Sequence, residues 1–288
     1  MTEPKTHTLE VPGTVLHYDV RESGSGDAPP LLMAGSPMDA AGFASLAERF
    51  PDRTVVTYDP RGVSRSVRTD GASESTPELH ADDLHRVIAA IGGPVDVFAS
   101  SGGAVNALAL VARHPGQVRT LVAHEPPLAR LLPDREQALA AVAHIRETYE
   151  REGMGPAMAR FIAITSLQGE VPADFADRPA PDPAAFGFAG EDDGSRDDPL
   201  FAQNLITCTH YEPDFEALRA SSTRIVVGVG AESAGQLACR AGEAVAERLG
   251  LEVVAFPGGH GGFLGGEYGM EGDPDAFAVK LREVLRNG

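Results

Sequence analysis

The stretch Ala99-Ser100-Ser101-Gly102-Gly103 sets one hydroxyl among small residues, between the apolar run VDVF and the helical pattern GGAVNALALVARHP. A strand that passes directly into a helix must turn sharply. Backbones crowd at such a turn, so its flanks must be small and its middle side chain is forced outward. Ser101 holds that middle place. Its hydroxyl would stand at the carboxyl end of a parallel strand, where open α/β sheets bind ligands. It would also lie at a helix N-terminus, whose free N–H groups favour developing negative charge. A structural Ser-Gly turn or a hinge would use the same residues; the chemistry the turn could do is nucleophilic, for which a serine hydroxyl needs a base to take its proton first.

Other constellations carry less. GVGAESAG follows a strand pattern, but the third glycine of a dinucleotide fingerprint would fall at Ser233. ELHADDLH gathers His80, Asp82, Asp83 and His85; the two histidines are five apart, poorly aligned on a helix, and the segment reads as a solvated acidic face. Cys208 and Cys239 are far apart and form no metal-type or redox-type pair, which points to a reduced, cytoplasmic setting.

The elements that must position Ser101 are legible in the periodicity. THTLEVPG and TVLHYDVRE alternate as strands around a Pro12-Gly13 hairpin signal. APPLLMAG and RTVVTYDPRG read as buried strands, with a helical spacing of Phe43, Leu46 and Phe50 between them. Thr76, Pro77 and Glu78 signal a helix start, and Gly92-Gly93 a stop. Strands VDVFAS and VRTLVAHEPP then flank the helix after Ser101. Strands alternating with helices over short loops predict a parallel, doubly wound sheet. The rhythm breaks after Pro126-Pro127. A helix over 135–152, a second opened by Pro156, and a third capped by Asp198-Pro199 are predicted there, with a Pro/Gly/Asp-rich loop before the third. TRIVVGVG, a helix closed by Gly250, LEVVAFPGG and a final helix restore the pattern.

Composition bounds the partners. With 42 acidic and 24 basic residues the net charge is -18, which disfavours nucleic acid and anionic membrane surfaces. No run approaches the ~20 apolar residues that span a bilayer, and the first 13 residues hold no apolar signal region. A chain of 288 residues, 42 % hydrophobic, can build one large α/β domain.

The Ser101 turn resembles the nucleophile elbow of the α/β-hydrolase fold, with Ala99 where Gly is usual. YDPRGVSRS resembles the family's Asp-x-Arg-Gly-x-Gly-x-Ser pattern with Ser64 for a glycine, Asp59 and Arg61 being structural. The resemblance covers about 10–125 and 222–286. It implies the order Ser, acid, His. The histidine is then His260 in FPGGHGGFL, after the last strand and among glycines that let a loop carry the ring over the sheet. The acid is Glu232 in GAESAG, after the usual strand, with Glu125 in VAHEPP as the alternative. Two backbone N–H groups should hold an oxyanion, from Gly102 and from the loop Ala34-Gly35-Ser36-Pro37. Pro37 cannot donate, so the second is Ser36. Many relatives carry His where this chain has Ala34, which leaves the bracing of that loop unexplained.

The expectation is therefore an α/β-hydrolase fold, a mostly parallel doubly wound sheet with a helical cap insertion: core 1–127 and 223–288, cap or lid 128–222. The function expected is a serine hydrolase of a small carboxylic ester or lactone, through Ser101, His260 and Glu232 and a covalent acyl-enzyme. The alternatives are acyl transfer, cyclisation or C–C-bond chemistry in a biosynthetic pathway, or a non-catalytic small-molecule receptor. Met38, Ser100, Phe161, His210 and Tyr211 are the candidate substrate contacts. A small-molecule substrate, no metal or cofactor, no nucleic acid or membrane partner, and a monomer or homodimer in the cytoplasm complete the reading.

Overall fold

The computed structural model describes residues 3–23, 28–188 and 190–286. Met1 and Thr2 of the N-terminal stretch and Ala189 of the Pro/Gly/Asp-rich stretch lie outside the described residues. In chain order, β1 (Lys5–Val11) and β2 (Thr14–Arg21) form the hairpin. β3 (Leu31–Ala34) leads through a 3-10 turn (Ala40–Phe43) into the one-turn α1 (Ala44–Ala47). β4 (Val55–Asp59), α2 (Pro77–Ile91), β5 (Val95–Ser100), α3 (Gly102–Arg113) and β6 (Val118–His124) follow. Between β6 and the next strand come α4 (Arg135–Glu152), α5 (Met154–Thr165), α6 (Leu205–Thr209) and α7 (Phe215–Ala220). β7 (Arg224–Gly230), α8 (Leu237–Leu249), β8 (Val254–Phe256) and α9 (Pro274–Arg286) complete it.

The strands form one sheet ordered β1-β2-β4-β3-β5-β6-β7-β8. The β1–β2 and β2–β4 pairs are antiparallel and the rest parallel. Every residue of β5 is buried, as a strand covered on both faces demands. Successive side chains alternate between the two faces. Leu32, Val97, Ala99, Leu121 and Ala123 pack under α2, α3 and α8. Leu31, Met33, Phe98 and Val122 meet Phe43, Phe256, Phe263, Phe277 and Leu281 on the other face.

Local signals act where they stand. Thr76 Oγ1 accepts from the Leu79 N–H at 3.3 Å, Pro77 opens α2, and Gly92 closes it at φ 83°. Such a cap is worth about 1 kcal/mol. The second helix of the β6–β7 segment begins at Met154 rather than Pro156. Gly153 (φ 85°) ends α4, so Pro156 falls in the first turn, where its missing N–H leaves no carbonyl unpaired. The acidic-face reading of ELHADDLH is corrected: His80 and Asp83 are fully buried. Asp83 pairs with Arg61 through two 2.6 Å hydrogen bonds, so the helix turns this carboxylate inward to neutralise a buried guanidinium. Among the described residues no helix is long and apolar enough to cross a membrane.

The segment between β6 and β7 is held by an ion pair to α8 and by polar contacts within itself. Asp134 pairs with Arg240 of α8 and accepts from the Val171 N–H at 2.7 Å. Asp198 caps a π-helical turn, Pro199–Asn204, accepting from Leu200 and Phe201 N–H at 2.9 Å each. Arg146 on α4 satisfies the Phe201 and Ala202 carbonyls of that turn at 2.9 and 2.8 Å. Phe201 stacks on Tyr149 and meets Phe161 edge-on, which joins α4, α5 and the turn in one apolar layer.

Candidate active site

Ser101 sits between β5 and α3 at φ 58°, ψ -129°. A non-glycine residue in this region costs of order 1–3 kcal/mol and persists only where its neighbours over-determine it. They do so here. The Ser101 N–H is bonded to the His124 carbonyl of β6 at 3.0 Å, and its own carbonyl receives the Ala104 N–H at 2.9 Å. The hydroxyl makes no capping hydrogen bond and the residue is half-buried. A Cβ at Gly102 would lie 2.5 Å from the Ser36 carbonyl, and one at Gly103 would run into the Ala34 carbonyl. Both positions need glycine because the β3 loop presses on the start of α3. That contact sets the backbones of Ser36 and Gly102 side by side, beside the first N–H groups of a 12-residue helix.

Parallel pairing puts Ser100 beside His124, so the residues that follow, Ser101 and Glu125, leave adjacent strand ends. Glu125 also has a positive φ, 47°. Its backbone N–H bonds to the Gly228 carbonyl at 2.9 Å, which turns the side chain across the end of β7. There Oε1 accepts from the Gly230 N–H at 2.8 Å and Oε2 meets His260 Nδ1 at 2.6 Å. Burial pushes the Glu125 carboxyl up, but His260 and the Gly230 N–H outweigh it and hold the group below its ordinary value. An ionised carboxylate only accepts, so Nδ1 is the ring nitrogen that donates to it. The Glu125 side chain keeps 1 % exposure and that of His260 40 %, so the ring is reachable while its partner stays dry. His260 rides on the loop between β8 and α9, where Gly262 N–H closes on the Gly259 carbonyl at 3.0 Å. A Cβ at Gly262 would strike the Pro257 carbonyl.

Glu232 does not take the place expected of it. Its N–H bonds to the Gly258 carbonyl at 3.0 Å and the residue is exposed, on a turn closed by Ser233 N–H to the Gly230 carbonyl at 3.1 Å. The carboxylate that reaches His260 is Glu125, one strand nearer to Ser101. The sequence signal for it was the acid that directly follows a fully buried strand end in VAHEPP.

The other candidate contacts are dispersed. Ser100 Oγ turns to His124 Nδ1 (3.3 Å), inside a ring of Phe98, Phe256, Phe263 and Phe277. Met38 is half-buried against Gly35 and Gly42 beside Ser36. Phe161 belongs to the apolar layer of the inserted segment. His210 Nδ1 turns back to its own helix at the Ile206 carbonyl, 3.0 Å away, and Tyr211 is half-buried, with burial raising its phenol to about 12. Cys208, which the sequence showed only as unpaired with Cys239, has its Sγ 3.3 Å from where a Gly102 Cβ would be. Burial pushes this thiol up to about 12, so it is packing beside the turn and not a nucleophile.

No family model matches the chain. It is 33 % identical over 287 residues to an uncharacterized hydrolase, YraK, of Bacillus subtilis, covering 96 % of this chain and 95 % of that one. The structure is similar to that of a thermophilic esterase from Thermogutta terrifontis, with a TM-score of 0.67, 22 % identity, and 99 % of each chain covered. It is also similar to a proline iminopeptidase of Mycobacterium smegmatis (0.63, 18 %, 98 % of each). A further likeness is to the N-acyl homoserine lactonase AidH (0.64, 18 %, 99 % of this chain and 97 % of that). The solved structures establish the eight-stranded fold, and the curated relative extends the match along the sequence. The chain belongs to the α/β-hydrolase family, as a hydrolase.

Proposed function

We propose that the protein is a serine hydrolase of small carboxylic esters or lactones, working through Ser101, His260 and Glu125. The observation that carries this reading is the 2.6 Å contact between His260 Nδ1 and a buried Glu125, beside a Ser101 held in the strand-to-helix turn. His260 Nε2 takes the Ser101 proton as Oγ attacks the ester carbonyl. Glu125 fixes the tautomer and stabilises the imidazolium that forms. The Gly102 and Ser36 N–H groups hold the oxyanion, which is where a preorganised dipole contributes most. The C–O bond then breaks, and His260 returns the proton to the leaving alcohol. Water, deprotonated by the same ring, releases the acid from the acyl-enzyme. Residues 128–222 are the cap over this site, and the burial of Asn204 and Cys208 against Ser36 and Gly102 supports that role. The esterase and lactonase among similar structures favour the ester or lactone class.

The test is hydrolysis of short-chain p-nitrophenyl esters and simple lactones by wild type, S101A and H260A. The expected result is turnover lost in both variants, on the order of 10³-fold or more. Wild-type turnover in folded S101A would refute the reading.

A further inference from the structure

Ser36 raises a question that the nucleophile and its base do not answer. Ala34, two residues before it, is a buried methyl group that offers the loop no side-chain hydrogen bond. The hydroxyl of Ser36 bonds instead to Asn204 Oδ1 at 3.3 Å. The same oxygen receives His80 Nε2 of α2 at 3.0 Å. Asn204 Nδ2 donates to the Pro199 carbonyl at 2.7 Å. All three side chains are buried: Ser36 is 4 % exposed, Asn204 1 % and His80 0 %.

The amide has one allowed orientation. Turned over, its oxygen would face the Pro199 carbonyl, which can only accept, so Nδ2 stays on Pro199 and Oδ1 faces Ser36 and His80. Because Oδ1 can only accept, His80 donates to it from Nε2, and burial pushes the ring down to about 3, so it is neutral. Asn204 is fixed at the backbone as well. It ends the π-helical turn, and wide turns of this kind occur often at functional sites. On either side, the Ser75 N–H meets the Gln203 carbonyl at 3.1 Å and Thr207 Oγ1 meets the Ser75 carbonyl at 2.6 Å.

We infer that Asn204, in the inserted segment, is a positioning residue for the oxyanion site: through the Ser36 hydroxyl it sets the Ser36 N–H against that of Gly102, bracing a loop to which Ala34 contributes no polar side chain. The spacing is tight, since a Gly102 Cβ would be 3.3 Å from Ser36 Cβ, so a small shift of Ser36 changes both donors together. The oxyanion geometry is then assembled jointly by the core and the inserted segment. This inference rests on the serine-hydrolase reading above.

The test uses S36A, N204A, the double variant and S101A, with kcat and KM on p-nitrophenyl acetate and a thermal unfolding curve for each. S36A and N204A should each lower kcat about 10- to 100-fold with KM within twofold, the size of a weakened oxyanion donor. Because Asn204 acts through the hydroxyl, the double variant should be no slower than the worse single variant by more than twofold. Multiplicative losses in the double variant, or a wild-type kcat in either single variant, would overturn the inference. S36A removes one oxygen and decides the matter even if N204A does not fold. A dead S101A beside a normal S36A sinks this inference alone, whereas an active S101A sinks the serine-hydrolase reading beneath it.

Discussion

Replacing Glu125 by Gln separates the two acids that the sequence offered. Glu125 uses both oxygens, one for the Gly230 N–H at 2.8 Å and one for His260 Nδ1 at 2.6 Å. Glutamine has the same shape but can accept with only one of them. If its oxygen stays on Gly230, its NH₂ faces Nδ1, which must then accept; the proton moves to Nε2 and the ring cannot serve as base. If the amide turns over, the ring keeps its tautomer but the Gly230 N–H is left buried and opposed by a donor, at a cost of about 1–3 kcal/mol. Both arrangements also lose the negative charge that stabilises the imidazolium. A loss of about 4 kcal/mol of transition-state stabilisation corresponds to about 10³-fold in rate, and wrong-tautomer variants reach about 10⁴. E125Q should therefore lower kcat on p-nitrophenyl acetate by 10³- to 10⁴-fold, with KM little changed. E232Q, altering an exposed side chain, should stay within about twofold, as surface substitutions do. An active E125Q or an inactive E232Q would refute the argument.

Further expectations concern stability and the turn. His80 and His124 are held neutral, at about 3 and about 4, chiefly by burial. In the unfolded chain both titrate near 6.5, so below that pH the unfolded state binds more protons and stability falls as pH drops towards 4. The slope is roughly 1 kcal/mol per pH unit for each ring; urea midpoints that do not fall between pH 7 and 5 would contradict it. G102A should cost at least tenfold in kcat, because its Cβ would sit 2.5 Å from the Ser36 carbonyl, and unchanged ester turnover would show that the loop can yield. R61M leaves Asp83 as an unpaired carboxylate with no exposed surface, and a urea melt should register a loss of about 3–5 kcal/mol.

Elements whose signals are local were legible in the sequence. Thr76-Pro77 and Gly92 bound α2 because capping and positive φ act within a few residues. The Ser101 turn was legible for the same reason, since crowding at a strand-to-helix turn restricts its immediate neighbours. Facts that depend on how strands line up were not. Glu125 and Glu232 both follow strands, and the carboxylate that meets His260 is the one whose strand end is paired to β7, with its backbone N–H on Gly228 and its side chain on Gly230. His80 and Asp83 sit in a polar run whose composition matches a wet surface, yet Arg61, 22 residues before Asp83, draws that face inward. Asn204 carries no signal of its own, because its partners Ser36 and His80 are 168 and 124 residues away.

Intact mass after treatment with a fluorophosphonate, on wild type and S101A, tests the central claim most directly. The account predicts one adduct on wild type and none on S101A, because it assigns the nucleophile to Ser101, the base to His260 and the oxyanion donors to Gly102 and Ser36. An adduct on S101A, or none on folded wild type, would contradict it.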